Sequence, residues 1–153
     1  MKEWKTYEDV SRYLLDKFKA EFGLKAVEGK QHLVGISTGT EWEIDAKGVS
    51  EKNESIVLIE ARRHTKAKLN QEDIGAIAFR VQDTGADSAI VVSPLGLQKG
   101  AQMVADTSNI TSVEIDANST PEQFAIKFFG NTVIGAGSFK LTLSTYRAAV
   151  ESK

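Results

Sequence analysis

Residues 55–61, Ser-Ile-Val-Leu-Ile-Glu-Ala, form a nearly continuous β-prone apolar run that carries a single carboxylate. Such a run reads as a strand buried on both faces, inside a sheet that has cover on either side. Upstream, Ser50-Glu51-Lys52-Asn53-Glu54 is polar enough to be a hairpin turn, and Trp42 and Ile44 alternate with Glu41, Glu43 and Asp45 in the strand before it. Leu33, Val34 and Ile36 make an earlier run, so residues 24–61 read as strands. Downstream the period changes to that of a helix. Asn70 suits the cap, Glu72 and Asp73 the first turn, and Ile74, Ile77, Ala78 and Val81 one face, with Gly85 as the stop. A strand over 88–93, a loop over 94–97, a short helix over 98–105 and a strand over 112–116 follow. This alternation implies right-handed crossovers and parallel pairing. At the front, Val10, Tyr13, Leu14, Phe18 and Phe22 fall at helical spacing ahead of Gly23. The expectation is an α/β (α+β) fold with a mixed central β-sheet flanked by helices. A short helix is expected after Pro121, to about residue 129. Residues 139–150 fit a strand or a helix equally.

The 153 residues suit one domain, with a core over about 7–116 and a C-terminal extension over 117–153. Nineteen Lys and Arg against 21 Asp and Glu give a net charge of −2, which argues against a wholly basic nucleic-acid-coating protein but leaves room for a local patch. The absence of Cys excludes disulfides, thiolate-bound zinc, iron–sulfur clusters and a thiol nucleophile. His32 and His64 are the only two histidines, too few for an all-His metal site. No apolar run approaches a membrane span or signal peptide, so a cytoplasmic protein with no membrane partner is expected.

The chemistry concentrates at the hairpin. Asp45 and Glu60 are equidistant from a turn centred between Lys52 and Asn53. In a tight hairpin without a bulge they face each other, with Cβ atoms about 5 Å apart. Two such carboxylates repel unless a cation lies between them, and hard oxygens suit Mg²⁺ or Mn²⁺. Arg62 follows Glu60 at i+2, on the same strand face. A metal between the acids would activate water, and the arginine would stabilise charge developing on a phosphate. The plain alternative is a solvated ion pair at a strand end. Residues 62–68, Arg-Arg-His-Thr-Lys-Ala-Lys, hold four fixed positive charges and no negative one, so the other residues of this −2 chain total −6. A basic segment beside paired acids suits a polyanionic substrate; a solvated surface loop is the commoner fate of such a run.

These residues resemble a known family. Glu60-Ala61-Arg62-Arg63, the helix that ends at Asp83-Thr84-Gly85-Ala86-Asp87, and the segment from Ala89 through Ser93-Pro94-Leu95-Gly96-Leu97-Gln98-Lys99-Gly100-Ala101 are similar to the catalytic domain of Mrr-type restriction endonucleases. Those belong to the PD-(D/E)xK nuclease superfamily, which includes Holliday-junction resolvases. The likeness reaches back through Gly39–Asp45 to Tyr7-Glu8. It implies that Asp45 and Glu60 bind a divalent metal, with the Ala61 carbonyl as a further ligand. It also implies that Glu8 joins the site from the first helix and that Gln71 supports it. Arg62 stands where the family usually places a catalytic Lys. Arginine is always charged and cannot act as a base. Either Arg62 acts electrostatically, or Lys47, Lys66 or Lys68 reaches the site, or catalysis is weak or lost.

The expected function is a metal-dependent endonuclease hydrolysing DNA phosphodiester bonds. The alternative is a catalytically weak or inactive nucleic-acid-binding module of the same fold. Arg63, His64, Lys66 and Lys68 are the expected DNA contacts. Cutting two strands calls for two sites, so a homodimer is expected, with Phe128, Phe129, Ile134, Phe139 and Leu141 as candidate interface residues. A partner protein or recognition subunit is the other source of specificity. Trp42 is read as packing against the sheet and Trp4 against the first helix.

Overall fold

The computed structural model describes residues 7–115 apart from Phe18, together with the short antiparallel strands Val133–Ile134 and Gly137–Ser138. Helix α1 (Tyr7–Lys17) buries Tyr7, Val10, Leu14 and Leu15. A 3₁₀ turn (Lys19–Phe22) continues it, and Gly23, at φ 70°, ends it. The stretch expected as one helix over 7–22 thus holds an α-helix over Tyr7–Lys17 and a 3₁₀ turn over Lys19–Phe22. Strands β1 (Leu24–Glu28), β2 (Gln31–Val34), β3 (Glu41–Ile44), β4 (Ala46–Ser50) and β5 (Ile56–Ala61) follow. Then come α2 (Gln71–Thr84), β6 (Ser88–Ser93), α3 (Lys99–Thr107) and β7 (Ile110–Glu114).

The main sheet has the order β1-β4-β5-β6-β7. Its β1, β4 and β5 are antiparallel neighbours, while β5, β6 and β7 run parallel. This is the mixed sheet between helices that the pattern of residues 55–115 predicts. Strand β5 sits at its centre, and its side chains divide between two cores. Val57, Ile59 and Ala61 pack with α1, whereas Leu58 packs with Ile74, Ile77 and Val81 of α2 and with Ala101 and Ala105 of α3.

Helix α2 begins and ends where its local chemistry dictates. Asn70 and Asp73 form a reciprocal capping box, and Gly85 closes the helix in the left-handed conformation at φ 75°. Helix α3 and β7 lie close to the expected ranges, shifted by one or two residues.

The region before β5 departs from expectation. Residues 41–50 are two strands that belong to different sheets. Strand β3 pairs with β2 in a separate two-stranded arm, and the chain breaks at Asp45 before β4 enters the main sheet. The hairpin partner of β5 is therefore β4, not the strand carrying Trp42 and Ile44. Its register nevertheless matches the expected one: Ala46 lies opposite Ile59, and Lys47 opposite Leu58. One further step along that register sets Asp45 across from Glu60. The expected helix over 121–129, the segment 139–150, Trp4 and the interface candidates from Phe128 onward lie outside the described residues, Ile134 and its neighbours being described as backbone only.

Candidate active site

The exits of β5 and β6 shape the site. Asp45 stands at the break between arm and main sheet, and its Oδ2 accepts a 2.8 Å hydrogen bond from the Ala61 N–H. Glu60 projects from β5 on the same face as Leu58, toward α2, and is only 1% exposed. Arg62 leaves β5 with its N–H bonded to the Val92 carbonyl of β6 at 2.7 Å. That contact fixes its backbone at the carboxyl end of two parallel strands, where ligand crevices form in open α/β sheets.

The three residues meet at one atom. Nη1 of Arg62 lies 3.0 Å from Glu60 Oε2, 3.2 Å from the Ala61 carbonyl oxygen and 3.4 Å from Asp45 Oδ2. These are the three oxygens that the family resemblance implies as metal ligands. They are hard donors converging on a point already held by a cation, so the donor set fits a divalent ion whose remaining ligands are water or substrate oxygens. Among the described residues, no group of three or more His, Cys, Asp or Glu side chains could hold a metal; the third donor here is a main-chain carbonyl.

A second arginine completes the cluster. Arg80, on α2, binds Glu60 Oε1 at 2.5 Å and the Glu43 carbonyl at 3.3 Å. Its guanidinium lies over the Trp42 ring at 5.1 Å, and Nε is buried without a hydrogen-bond partner. Burial pushes the Glu60 carboxyl above the usual glutamate range, against the opposing pull of Arg62 and Arg80. Sequence reading missed Arg80. The available signal was that it is the lone basic residue in a helix otherwise carrying only acids.

Lys30 was missed as well. It occupies the β1–β2 turn, pairs with Glu43 at 3.3 Å, and its ammonium is held charged by Glu43 and, more weakly, by Asp45 and Glu8. Glu8 of α1 contributes the smallest of these influences on Lys30. Gln71 takes another direction: its amide lies against Gly100 at the start of α3, so that a Cβ at Gly100 would collide with it. Lys47 pairs across the hairpin with Leu58, while Lys66 and Lys68 sit in the exposed loop that carries Arg63 and His64. The bridge between Leu69 and Leu97 anchors the end of that loop.

The arm is fastened to α2 by a buried carboxylate. Asp83 accepts from the Ser37 N–H (2.9 Å), the Thr38 hydroxyl (2.6 Å) and N–H (3.2 Å), and the Trp42 indole (2.8 Å). The Thr38 hydroxyl, then the Trp42 indole, outweigh burial and lower its pKa to about 2. Trp42 is thus held by α2, between Arg80 and an edge-on Phe79.

No protein-family model matches the chain, and no curated protein matches it. Among solved structures, it is similar to a protein of unknown function, AF1548, at TM-score 0.51 and 17% identity over 65% of this chain and 56% of that one. A repair endonuclease from Pyrococcus abyssi aligns at TM-score 0.47 and 18% identity, covering 76% and 50% of the two chains. EndoMS aligns at 0.43 and 15%, covering 78% and 49%. The chain spans about half the length of each. At this identity the first likeness speaks to the fold alone, and the other two fall below the level at which a shared fold is argued.

Proposed function

We propose that the chain is a metal-dependent endonuclease domain that hydrolyses DNA phosphodiester bonds, of the Mrr-type branch of the PD-(D/E)xK nucleases. The observation that carries this reading is the convergence of Asp45 Oδ2, Glu60 Oε2 and the Ala61 carbonyl on one cation position, beside a loop with an excess of positive charge. In this reading those oxygens hold Mg²⁺ or Mn²⁺, which when bound supplies an activated water and charge neutralisation. Arg62 takes the phosphate through its planar fork. Arg63, His64, Lys66 and Lys68 hold the DNA backbone and set its register without reading sequence. Glu8 supports the acidic rim, Gln71 steadies the start of α2 against α3, and a homodimer supplies the second site.

A second reading is favoured by one observation: Arg62 already fills the cation position. An arginine that stays there neutralises the two acids together with Arg80 and leaves a DNA-binding module without turnover. The two separate when Mg²⁺ or Mn²⁺ is added to the protein with plasmid, linear, single-stranded and four-way-junction DNA, with Asp45→Ala as control. Metal-dependent cleavage that disappears in the control supports the nuclease. Binding without cleavage in wild type supports the module.

A further inference from the structure

Arg62 is placed where an ion would have to go. Its Nη1 is 3.0–3.4 Å from all three candidate ligand oxygens. A divalent ion needs those oxygens at about 2.0–2.6 Å. Nitrogen and ion cannot share so small a space. Charge points the same way. Asp45 and Glu60 are balanced by Arg62 and Arg80, so an ion entering the closed cluster would meet no net attraction. With Arg62 withdrawn, it would meet two carboxylates and one guanidinium.

The two arginines differ in freedom. The Arg80 side chain is 18% exposed and pinned over Trp42, while that of Arg62 is 30% exposed, at the mouth of the site next to the basic loop. Only Arg62 has somewhere to go. Because Arg80 keeps its bond to Oε1, Glu60 stays oriented and paired when Oε2 is released. A phosphodiester offers a guanidinium a bidentate partner that two separate carboxylates and a carbonyl do not.

We propose that Arg62 is a built-in competitor for the metal, and that a DNA phosphate opens the site by drawing its guanidinium outward. Metal and DNA then bind with positive coupling, each raising the other's affinity by the same factor. This rests on the metal-site reading above and adds the order of events: the resting protein is closed to metal and is loaded by its substrate.

The test uses the whole chain and reads binding, not turnover. Mn²⁺ affinity without DNA is measured by electron paramagnetic resonance for wild type, Arg62→Ala, Arg62→Gln and Asp45→Ala, each checked for folding by circular dichroism. Duplex DNA affinity is then measured by fluorescence anisotropy with and without Ca²⁺, at constant ionic strength. Wild type should bind Mn²⁺ weakly, and both Arg62 variants at least tenfold more tightly. Ca²⁺ should tighten DNA binding by wild type about tenfold, and by the Arg62 variants by a smaller factor, what remains being the ion's direct bond to the phosphate. Unchanged Mn²⁺ affinity in both Arg62 variants, with binding lost in Asp45→Ala, overturns the competition and leaves the metal site standing. Mn²⁺ binding that is absent throughout, or indifferent to Asp45→Ala, overturns both.

Discussion

Arg80 sets how much charge the buried end of β5 tolerates. Glu60 is almost fully enclosed, and removing one partner of an enclosed ion pair strands the other. Breaking such a pair outright costs about 3–5 kcal/mol, and because Arg62 keeps its bond to Oε2, Arg80→Met should cost less than that, read as a lower midpoint in urea unfolding with unchanged m-value. The same change removes one of the two residues that hold the Glu60 pKa down, the one that does so both by its charge and by its hydrogen bond. If ionised Glu60 is needed for cleavage, the acid limb of the pH–rate profile should move to higher pH in Arg80→Met; an unmoved limb would assign that limb to another group. Asp45, Glu60 and Arg62 were legible in the sequence because they lie on one hairpin and one strand, where pairing and alternation follow from spacing. Arg80 reaches Glu60 from another element, across a helix packing that no local pattern encodes.

The β2–β3 arm is held by Asp83, and its attachment has a pH dependence of known sign. A carboxyl whose pKa drops from 3.8 to about 2 on folding stabilises the fold above pH 4, and that contribution is lost as pH falls toward 2. The difference in thermal midpoint between wild type and Asp83→Asn should accordingly be largest near neutrality and shrink below pH 4. Hydrogen exchange gives the spatial check: in Asp83→Asn, amides of Gly35 through Ile44 should exchange faster while those of β5 and β6 keep their protection. At the start of α2, Asn70→Ala removes half of a capping box and should cost about 1 kcal/mol. Cap residues act on their own helix, which is why Asn70 and Gly85 bounded α2 from sequence alone. The break at Asp45 had no such marker. Trp42, Ile44 and Ala46 keep a period of two straight through it, without Gly or Pro, and only packing shows that they serve two sheets.

At the scale of the molecule, a chain of net charge −2 presents, among its described residues, a run of four Lys and Arg without an acid over 62–68, in a loop exposed from Arg63 to Lys68. If that loop meets the DNA backbone, Lys66→Ala and Lys68→Ala should each lower the slope of log affinity against log salt by about one, with little change between sequences. Equal slopes in wild type and both variants would place the contact elsewhere. The β4–β5 hairpin also has a second end. Its turn, Glu51 to Glu54, is exposed on all four residues, with Glu54 at φ 60°. Residues 46–50 on one side and 55–59 on the other, about 17 Å of chain, separate it from Asp45 and Glu60. Pairing between burial-matched strands, rather than turn length, holds the two acids opposite each other, since a slip by one residue would turn Val57 and Leu58 to the wrong faces. A biotin-acceptor peptide spliced between Lys52 and Asn53 should therefore leave the Asp45–Glu60 pairing untouched, and would let single molecules be tethered to glass with that end of the hairpin turned to solution.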